Sequence, residues 1–552
     1  MDVTADQART LVAACRAVVD GAARRLAGAS AAGGRIDVGL LDREQALAYD
    51  LATVAGQVSA AEEMLAYADH GAFEAALTVG FAGDVAAGLA ARLAGREAAW
   101  GVDADSPWHE QATRDALAAA RAPALTDHIA ERVLSSSELP RHLDEERQMV
   151  RETFRDYAEA KVAPVAERIH RDDEDIPDEI ITDLAEMGAF GLSIPERYGG
   201  FAQGGSEDDV MAMVLVTEEL SRGSLGVAGS LITRPEILSK ALISGGTDEQ
   251  RDRWLPGIAS GELMCAVAVT EPDHGSDVAG LTVSAVRDGD AYVLNGTKTW
   301  CTFGGRADLL MVLARTGSPE DGHRGLSLFV IEKRRYPGHA FRHEGAHGGV
   351  MDARAIGTIG YRGMHSFEIS FEDYRVPAAN LVGGEDGRGR GFYLQMGAFA
   401  NGRLQTAARA LGLMQAAFDA AVAYTTARHV FGVPLADYPL TRAKLAMMAW
   451  RIAACRRFAY RSATLLGRGG PGSDAPSDGQ LEASMVKSLA CLSAEWLTRE
   501  AQQLHGGMGY AEEYPVSRYF VDARVLSIFE GADEVLALRV IARSLLAEAL
   551  TG

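Results

Sequence analysis

Cysteine is scarce in this chain. The five present (Cys15, Cys265, Cys301, Cys455 and Cys491) are scattered, odd in number and lack any C-x-x-C pair. That excludes a disulfide framework and a thiolate zinc site, so no metal is expected, and it predicts a reducing compartment. Long apolar runs are missing too: none approaches the roughly 20 residues of a membrane span. The start, Met1-Asp2-Val3-Thr4-Ala5-Asp6, has no basic segment followed by an apolar block. The expectation is a cytoplasmic protein with no membrane span. Positive charge is also short, with 54 Lys and Arg against 76 Asp and Glu, a net charge of −22. A nucleic-acid binder needs the opposite balance, so no nucleic-acid partner is expected. Several motifs are absent as well. Neither G-x-G-x-x-G after a strand, G-x-x-x-x-G-K-S/T, H-E-x-x-H nor G-x-S-x-G occurs. Dinucleotide-fold, P-loop, zincin and α/β-hydrolase readings are therefore unsupported.

What is present is a soluble globular composition, 47% hydrophobic and 24% charged over 552 residues, enough for three or four domains. Residues 1–143 are Ala-rich, and Leu47, Leu51, Val54, Val58, Ala61 and Leu65 recur at helical spacing. Helices are predicted near 4–28, 43–69, 72–98 and 109–121, with no chemical constellation, as in an accessory or oligomerisation domain. Residues 144–263 read as a second helical domain, broken at Pro195-Glu196-Arg197-Tyr198-Gly199-Gly200. Between 264 and 385 the texture is that of strands. Thr282–Val286 alternates, Ala291–Leu294 leads into Asn295-Gly296, a strong hairpin signal, and Leu309–Ala314, Leu326–Ile331 and Phe367–Phe371 follow. From 386 to 552 the pattern is helical again. A stripe through Leu404, Ala408, Leu411 and Met414 ends at Phe431-Gly432-Val433-Pro434, and helices follow near 440–466, 479–504 and from Gly531. Gly467–Gly479 forms a Gly/Ser/Pro-rich linker. Four long helices suggest a bundle. The predicted fold class is mainly α with a central β domain.

Two segments are suited to a ligand. Val269-Thr270-Glu271-Pro272-Asp273-His274-Gly275-Ser276-Asp277 is a turn rich in backbone donors and hydroxyls, fit for a polar or anionic group. In Asn295–Gly305, alternation puts Trp300 and Thr302 on one side of a strand, a surface for a flat heteroaromatic ring. Trp300 taken bare is equally a core residue. Glu530, in Ser527-Ile528-Phe529-Glu530-Gly531, is a carboxylate among apolar neighbours, which suits a general base. A surface acid favoured by a helix dipole is the other reading.

These segments, with Arg428-x-x-Phe431-Gly432, Gly506-Gly507-Met508-Gly509-Tyr510 and Phe529-Glu530-Gly531, come in an order that resembles the acyl-CoA dehydrogenases over about residues 144–552. The resemblance implies an FAD enzyme with a helical domain, a β-barrel-like domain and a carboxy-terminal four-helix bundle, here preceded by an amino-terminal helical extension. It implies that Val269, Thr270, Gly275, Ser276, Trp300 and Thr302 contact the flavin and pyrophosphate. It implies that Arg428, Phe431, Gln503 and Gly507 reach a neighbouring subunit's FAD in a homodimer or homotetramer. Arg403, Asn401, Ser276 and Gly531 fall on the acyl-CoA side. Glu530 matches the general base that takes the α-proton as hydride leaves the β-carbon for the flavin. The alternative base position holds Gly402, which cannot serve. Ala532, Glu534, Pro439 and Asn401 depart from the family's usual residues, which leaves flavin-adenine and CoA contacts open.

The extension, the segment Ser230–Leu238 and the segment Ile359–Phe367 resemble members acting on a branched dicarboxylic thioester, methylsuccinyl-CoA, to give mesaconyl-CoA with electrons passed to an electron-transferring flavoprotein. Arg222 and Arg234 are the cations for the distal carboxylate in this reading, with Tyr361 and His365 as further donors. Glutaryl-CoA or short branched substrates, and an oxidase using oxygen directly, are alternatives. A flavin-containing, DNA-protecting member of the fold is the non-enzymatic reading, against which stand Glu530 and the acidity.

Overall fold

The computed structural model describes residues 4–203, 206–468 and 479–551. The chain forms two compact units: one of residues 1–144, 406–465 and 477–552, the other of 145–405 and 466–476. The chain passes between them within the helix Gly391–Ala427.

In the first unit the extension folds as helices Ala5–Ser30, Gln45–Tyr67, Ala72–Leu93, Gln111–Ala120 and Pro123–Ser135, the last not foreseen from periodicity. They pack directly on helices of the carboxy-terminal region, Pro439–Arg468, Gln480–Leu504 and a final helix over 533–551, while a further helix, Val516–Leu526, packs on Gln480–Leu504. The 516–526 helix is also an addition to the expected four. Most of the linker at Gly467–Gly479 lies outside the described residues. Ion pairs join extension and bundle: Arg442 Nε to Asp127 at 2.8 Å, Arg451 to Asp84 at 2.8 Å and Arg539 to Asp42 at 3.0 Å. Helix Ala72–Leu93 is long and apolar enough to cross a membrane, but 72% of its apolar window is buried in this unit. Its apolarity serves the core. A glycine makes its closest approach possible, because a Cβ on Gly80 would stand 2.3 Å from Cε3 of Trp450.

The second unit holds an eight-stranded sheet flanked by helices. Its strands are β1 (Cys265–Ala268), β2 (Ser284–Asp288), β3 (Ala291–Thr302), β4 (Leu309–Arg315), β5 (Leu326–Glu332), β6 (Ala340–Glu344), β7 (Val350–Ile356) and β8 (Ser366–Pro377). The order is β1-β4-β2-β3-β8-β7-β6, with β5 on β4. β4 is buried throughout. It packs Leu309, Met311 and Leu313 with Leu238, Leu242, Trp254 and Ile258 from the helices, a core buried on both faces.

One strand expectation fails, and a second meets irregular backbone within the ladder. Asn295-Gly296 is not a hairpin turn, for β3 runs straight through it and the turn lies at Asp288–Ala291. Gly296, at φ 125°, sits opposite an irregularity in β8, where Asn295 exchanges two side-chain hydrogen bonds with Asp373. The second irregularity falls at Thr299-Trp300, opposite Glu368, with Trp300 at φ 58°. A bulge displaces the simple side-to-side alternation on which the pairing of Trp300 with Thr302 rests.

The extension–bundle contact gives a direct test. Gly80→Val should lower stability in urea unfolding by about 1–3 kcal/mol through overpacking against Trp450. Gly88→Val, on the same helix, should change it by less than about 0.5 kcal/mol, since a Cβ there meets only the Arg92 guanidinium at 3.5 Å.

Candidate active site

In the first unit, Glu530 sits in a tight, strained loop. Its φ is 55°, outside the region a residue with a Cβ prefers, and Gly531 follows at φ 99°. Such geometry persists only where the surroundings enforce it, and here they do. The ammonium of Lys487, fully buried on the third bundle helix, donates to the Gly531 carbonyl at 2.7 Å. Asp533 Oδ1 accepts from Ser488 Oγ at 2.5 Å, and the Asp533 N–H donates to the Ser527 carbonyl at 3.1 Å. The Glu530 side chain is 9% exposed, and one carboxylate oxygen lies 3.8 Å from the guanidinium of Arg409, itself fully buried. Arg409 also stands over the Phe529 ring at 4.6 Å and donates to Thr406 Oγ1 at 2.6 Å. The apolar setting expected for Glu530 is thus incomplete, since a buried cation compensates its charge. Burial pulls the Lys487 pKa down, opposed by Cys491, Asp533 and Glu530. Arg409 and Lys487 escaped the sequence reading. The signal was an isolated cation within an apolar helical run, Ala407-Ala408-Arg409-Ala410-Leu411 and Met485-Val486-Lys487-Ser488-Leu489.

The other expected residues of this unit lie at its surface. Arg428, Gln503 and Gly507 are exposed, and Phe431 is 98% exposed on a two-residue turn at φ 50°. The helix end bearing Arg428 and the turn bearing Gly507 are brought together by Tyr424 stacked on His505 at 4.2 Å.

In the second unit, the Thr270–Ser276 turn hangs from a buried ion pair. Lys298 Nζ donates to Glu271 at 2.8 Å and to the Val269 carbonyl at 2.8 Å, with neither charged side chain more than 3% exposed. Glu271 also accepts from the Thr282 and Val283 N–H groups at 2.7 and 2.9 Å. Burial would raise the Glu271 pKa, but the Lys298 ammonium and these donors outweigh it and hold the carboxyl low. Thr270 accepts from Thr299 N at 2.8 Å, joining the turn to β3. Val269 is buried, while Gly275 and Ser276 are exposed, and a Cβ on Gly275 would meet nothing within 4 Å. Trp300 is 55% exposed, whereas Thr302 is buried with its hydroxyl 2.9 Å from that of Ser366. One hydroxyl proton of that pair is left to donate. An open backbone turn, an uncovered indole and a spare hydroxyl donor fit a flavin dinucleotide.

The acyl-side candidates separate. Asn401 donates to Glu236 at 3.2 Å, and Glu236 also accepts from Ser193 at 3.0 Å. Burial raises the Glu236 pKa. Gln405, one turn from Asn401, has both amide atoms buried without a protein partner. Arg403 is half-buried on the same helix. Arg234 is 5% exposed and donates to Tyr361 Oη at 2.9 Å. Arg222 instead pairs with Glu159 at 2.5 Å, whose side chain is 51% exposed. Elsewhere Asp173, His339 and His365 bring ligand-capable atoms within 4.8 Å of one another, but Arg362 lies 3.7 Å from Asp173 and already compensates it.

Fold and family matches together define a flavoprotein dehydrogenase of acyl thioesters. The family models described as the acyl-CoA dehydrogenase N-terminal, middle and C-terminal domains match residues 144–262, 266–374 and 389–546. The chain belongs to the acyl-CoA dehydrogenase family, whose members are FAD oxidoreductases acting on acyl-CoA. It is similar to (2S)-methylsuccinyl-CoA dehydrogenase of Cereibacter sphaeroides, 45% identical over 407 residues that cover 73% of this chain and 70% of that protein. Among solved structures it resembles butyryl-CoA dehydrogenase of Megasphaera elsdenii, with a TM-score of 0.65, 31% identity, and coverage of 74% of this chain and 100% of that one. It also resembles a chain from a structure described as the electron transferring flavoprotein of Acidaminococcus fermentans, with a TM-score of 0.64, 31% identity, and coverage of 73% and 98%.

The Lys298–Glu271 pair is testable alone. Lys298→Ala leaves a buried carboxylate without its partner and should destabilise the second unit by about 3–5 kcal/mol, read by urea unfolding, with FAD lost on gel filtration. A loss below about 1 kcal/mol would show that the pair is solvated in the folded protein.

Proposed function

We propose that the protein oxidises (2S)-methylsuccinyl-CoA to mesaconyl-CoA, with Glu530 as general base. The observation that carries this is the enclosed, strained Glu530 beside Arg409, at the end of the family's ordered motifs. Among the described residues the Glu530 N–H makes no hydrogen bond within the chain. In this reading it donates to the thioester carbonyl oxygen, which increases the acidity of the α-hydrogen. Glu530, with a carboxylate oxygen 3.8 Å from the Arg409 guanidinium, then takes the α-proton. Bound FAD supplies the acceptor for the β-hydride. Val269, Thr270, Gly275, Ser276, Trp300 and Thr302 would hold it. Arg428, Phe431, Gln503 and Gly507 would contact the FAD of a neighbouring subunit in a homodimer or homotetramer, consistent with a phenyl ring left 98% exposed in the single chain.

The dicarboxylate assignment rests on Arg234, a nearly buried guanidinium that donates to the Tyr361 hydroxyl and the Ser230 carbonyl. Arg222, already paired with Glu159, is the weaker candidate. The 45% identity to a methylsuccinyl-CoA dehydrogenase supports this reading. The likeness to a chain from a structure described as that of an electron transferring flavoprotein supports such a protein as the electron acceptor. Five free, buried thiols fit a reducing cytoplasm.

Glu530→Gln should retain FAD and lose substrate bleaching of the flavin under anaerobic conditions; bleaching at the wild-type rate would remove Glu530 as base. In a panel of methylsuccinyl-, glutaryl-, isobutyryl- and butyryl-CoA, methylsuccinyl-CoA should reduce the flavin fastest. Arg234→Met should weaken use of that substrate by about 2–3 kcal/mol, roughly 30- to 150-fold, and spare butyryl-CoA. Bleaching by butyryl-CoA alone would remove the dicarboxylate assignment.

A further inference from the structure

Residues 5–135 bear no catalytic motif, yet one side chain of this extension enters the buried network behind Glu530. Tyr49, on the helix Gln45–Tyr67, donates its phenol to Asp533 Oδ2 at 2.6 Å. Asp533 is 6% exposed, stands three residues after Glu530, and gives its other oxygen to Ser488 at 2.5 Å. Burial, with Asp533 beside it, pushes the Tyr49 pKa well up, so the phenol remains a donor throughout the working pH range. The neighbouring Arg539–Asp42 ion pair, at 3.0 Å, ties the same part of the extension to the final helix.

We propose that the amino-terminal extension is a working part of the catalytic loop: Tyr49, through Asp533, is a positioning residue that keeps Glu530 in its strained, base-competent geometry. This rests on the reading of Glu530 as the base. The strain of φ 55° at Glu530, a residue with a Cβ, relaxes unless the loop that follows is held. Lys487 grips the Gly531 carbonyl, and the Tyr49–Asp533–Ser488 bonds grip the residue two positions on. Without the phenol, Asp533 Oδ2 loses its donor in a buried setting and turns to find another. The loop moves with it.

The test is the FAD-loaded Tyr49→Phe enzyme, which keeps the ring and removes the hydroxyl. Anaerobic single-turnover reduction uses methylsuccinyl-CoA, or butyryl-CoA should the former not bleach the wild type. The rate should fall about 10- to 100-fold, with the apparent Kd for the thioester unchanged within about twofold and melting temperature and FAD content near wild type. Hydrogen exchange at the amides of Ile528–Glu534, which needs no substrate, should quicken. Asp533→Asn, which keeps the volume and one acceptor, should give the same split. A Tyr49→Phe rate equal to wild type, or a fall matched by lost FAD or folded protein, overturns the proposal. Glu530→Gln is run beside it. If that variant still bleaches, the base reading fails, and exchange alone decides the clamp: quickened exchange retains it and unchanged exchange removes it.

Discussion

The grip of Lys487 and Asp533 on the Glu530–Gly531 loop is the constraint on which the site depends. A left-handed residue with a side chain is unfavourable by about 1–3 kcal/mol, and it holds only because neighbouring bonds leave no relaxed alternative. The network that supplies those bonds is ionic and buried. Arg409 and Lys487 face Glu530 and Asp533, so two cations meet two carboxylates inside a helical unit. Networks of this kind contribute little net stability, because desolvation offsets most of the attraction, and what they supply is a defined arrangement. A base that must meet one carbon–hydrogen bond needs that arrangement more than it needs stability.

The second unit uses the same device for a different end. Lys298 and Glu271 are a buried pair whose remaining bonds go to the Val269 carbonyl, the Thr282 and Val283 N–H groups and the Thr282 hydroxyl. The pair fixes a turn whose outer rim, Gly275 and Ser276, stays open. A rigid inner edge with an open outer edge is what binding a large polar cofactor requires, since the backbone donors must be in place before the ligand arrives. In both units a lysine reaches from a regular element to a carbonyl of the functional loop. Loops carry the chemistry and regular elements hold them still.

Short, ordered motifs made the family readable, because each sits in one loop and its chemistry is local. Glu530, Thr270, Ser276 and Trp300 all lie in segments identifiable without knowing what packs where. Periodicity located the long helices for the same local reason. Asn295-Gly296 misled because its hairpin chemistry was overridden by pairing with β8, where the bulge at Asp373 absorbs the glycine. The bulge at Trp300 shows only in the pairing with its partner strand. Arg409 and Lys487 stood out only as lone cations in apolar helical runs, and Tyr49 not at all, because their roles depend on partners 121, 44 and 484 positions away in the chain. The extension, featureless as sequence, gains meaning only from what it packs against.

The account turns on Glu530 meeting the α-carbon, and a crystal structure of the FAD enzyme with a non-reactive methylsuccinyl thioester analogue measures that directly. The predicted result is a Glu530 carboxylate oxygen about 3–3.5 Å from the α-carbon, with Arg409 still beside it and the loop in its left-handed conformation. Glu530 turned away, or a different carboxylate over that carbon, would contradict it.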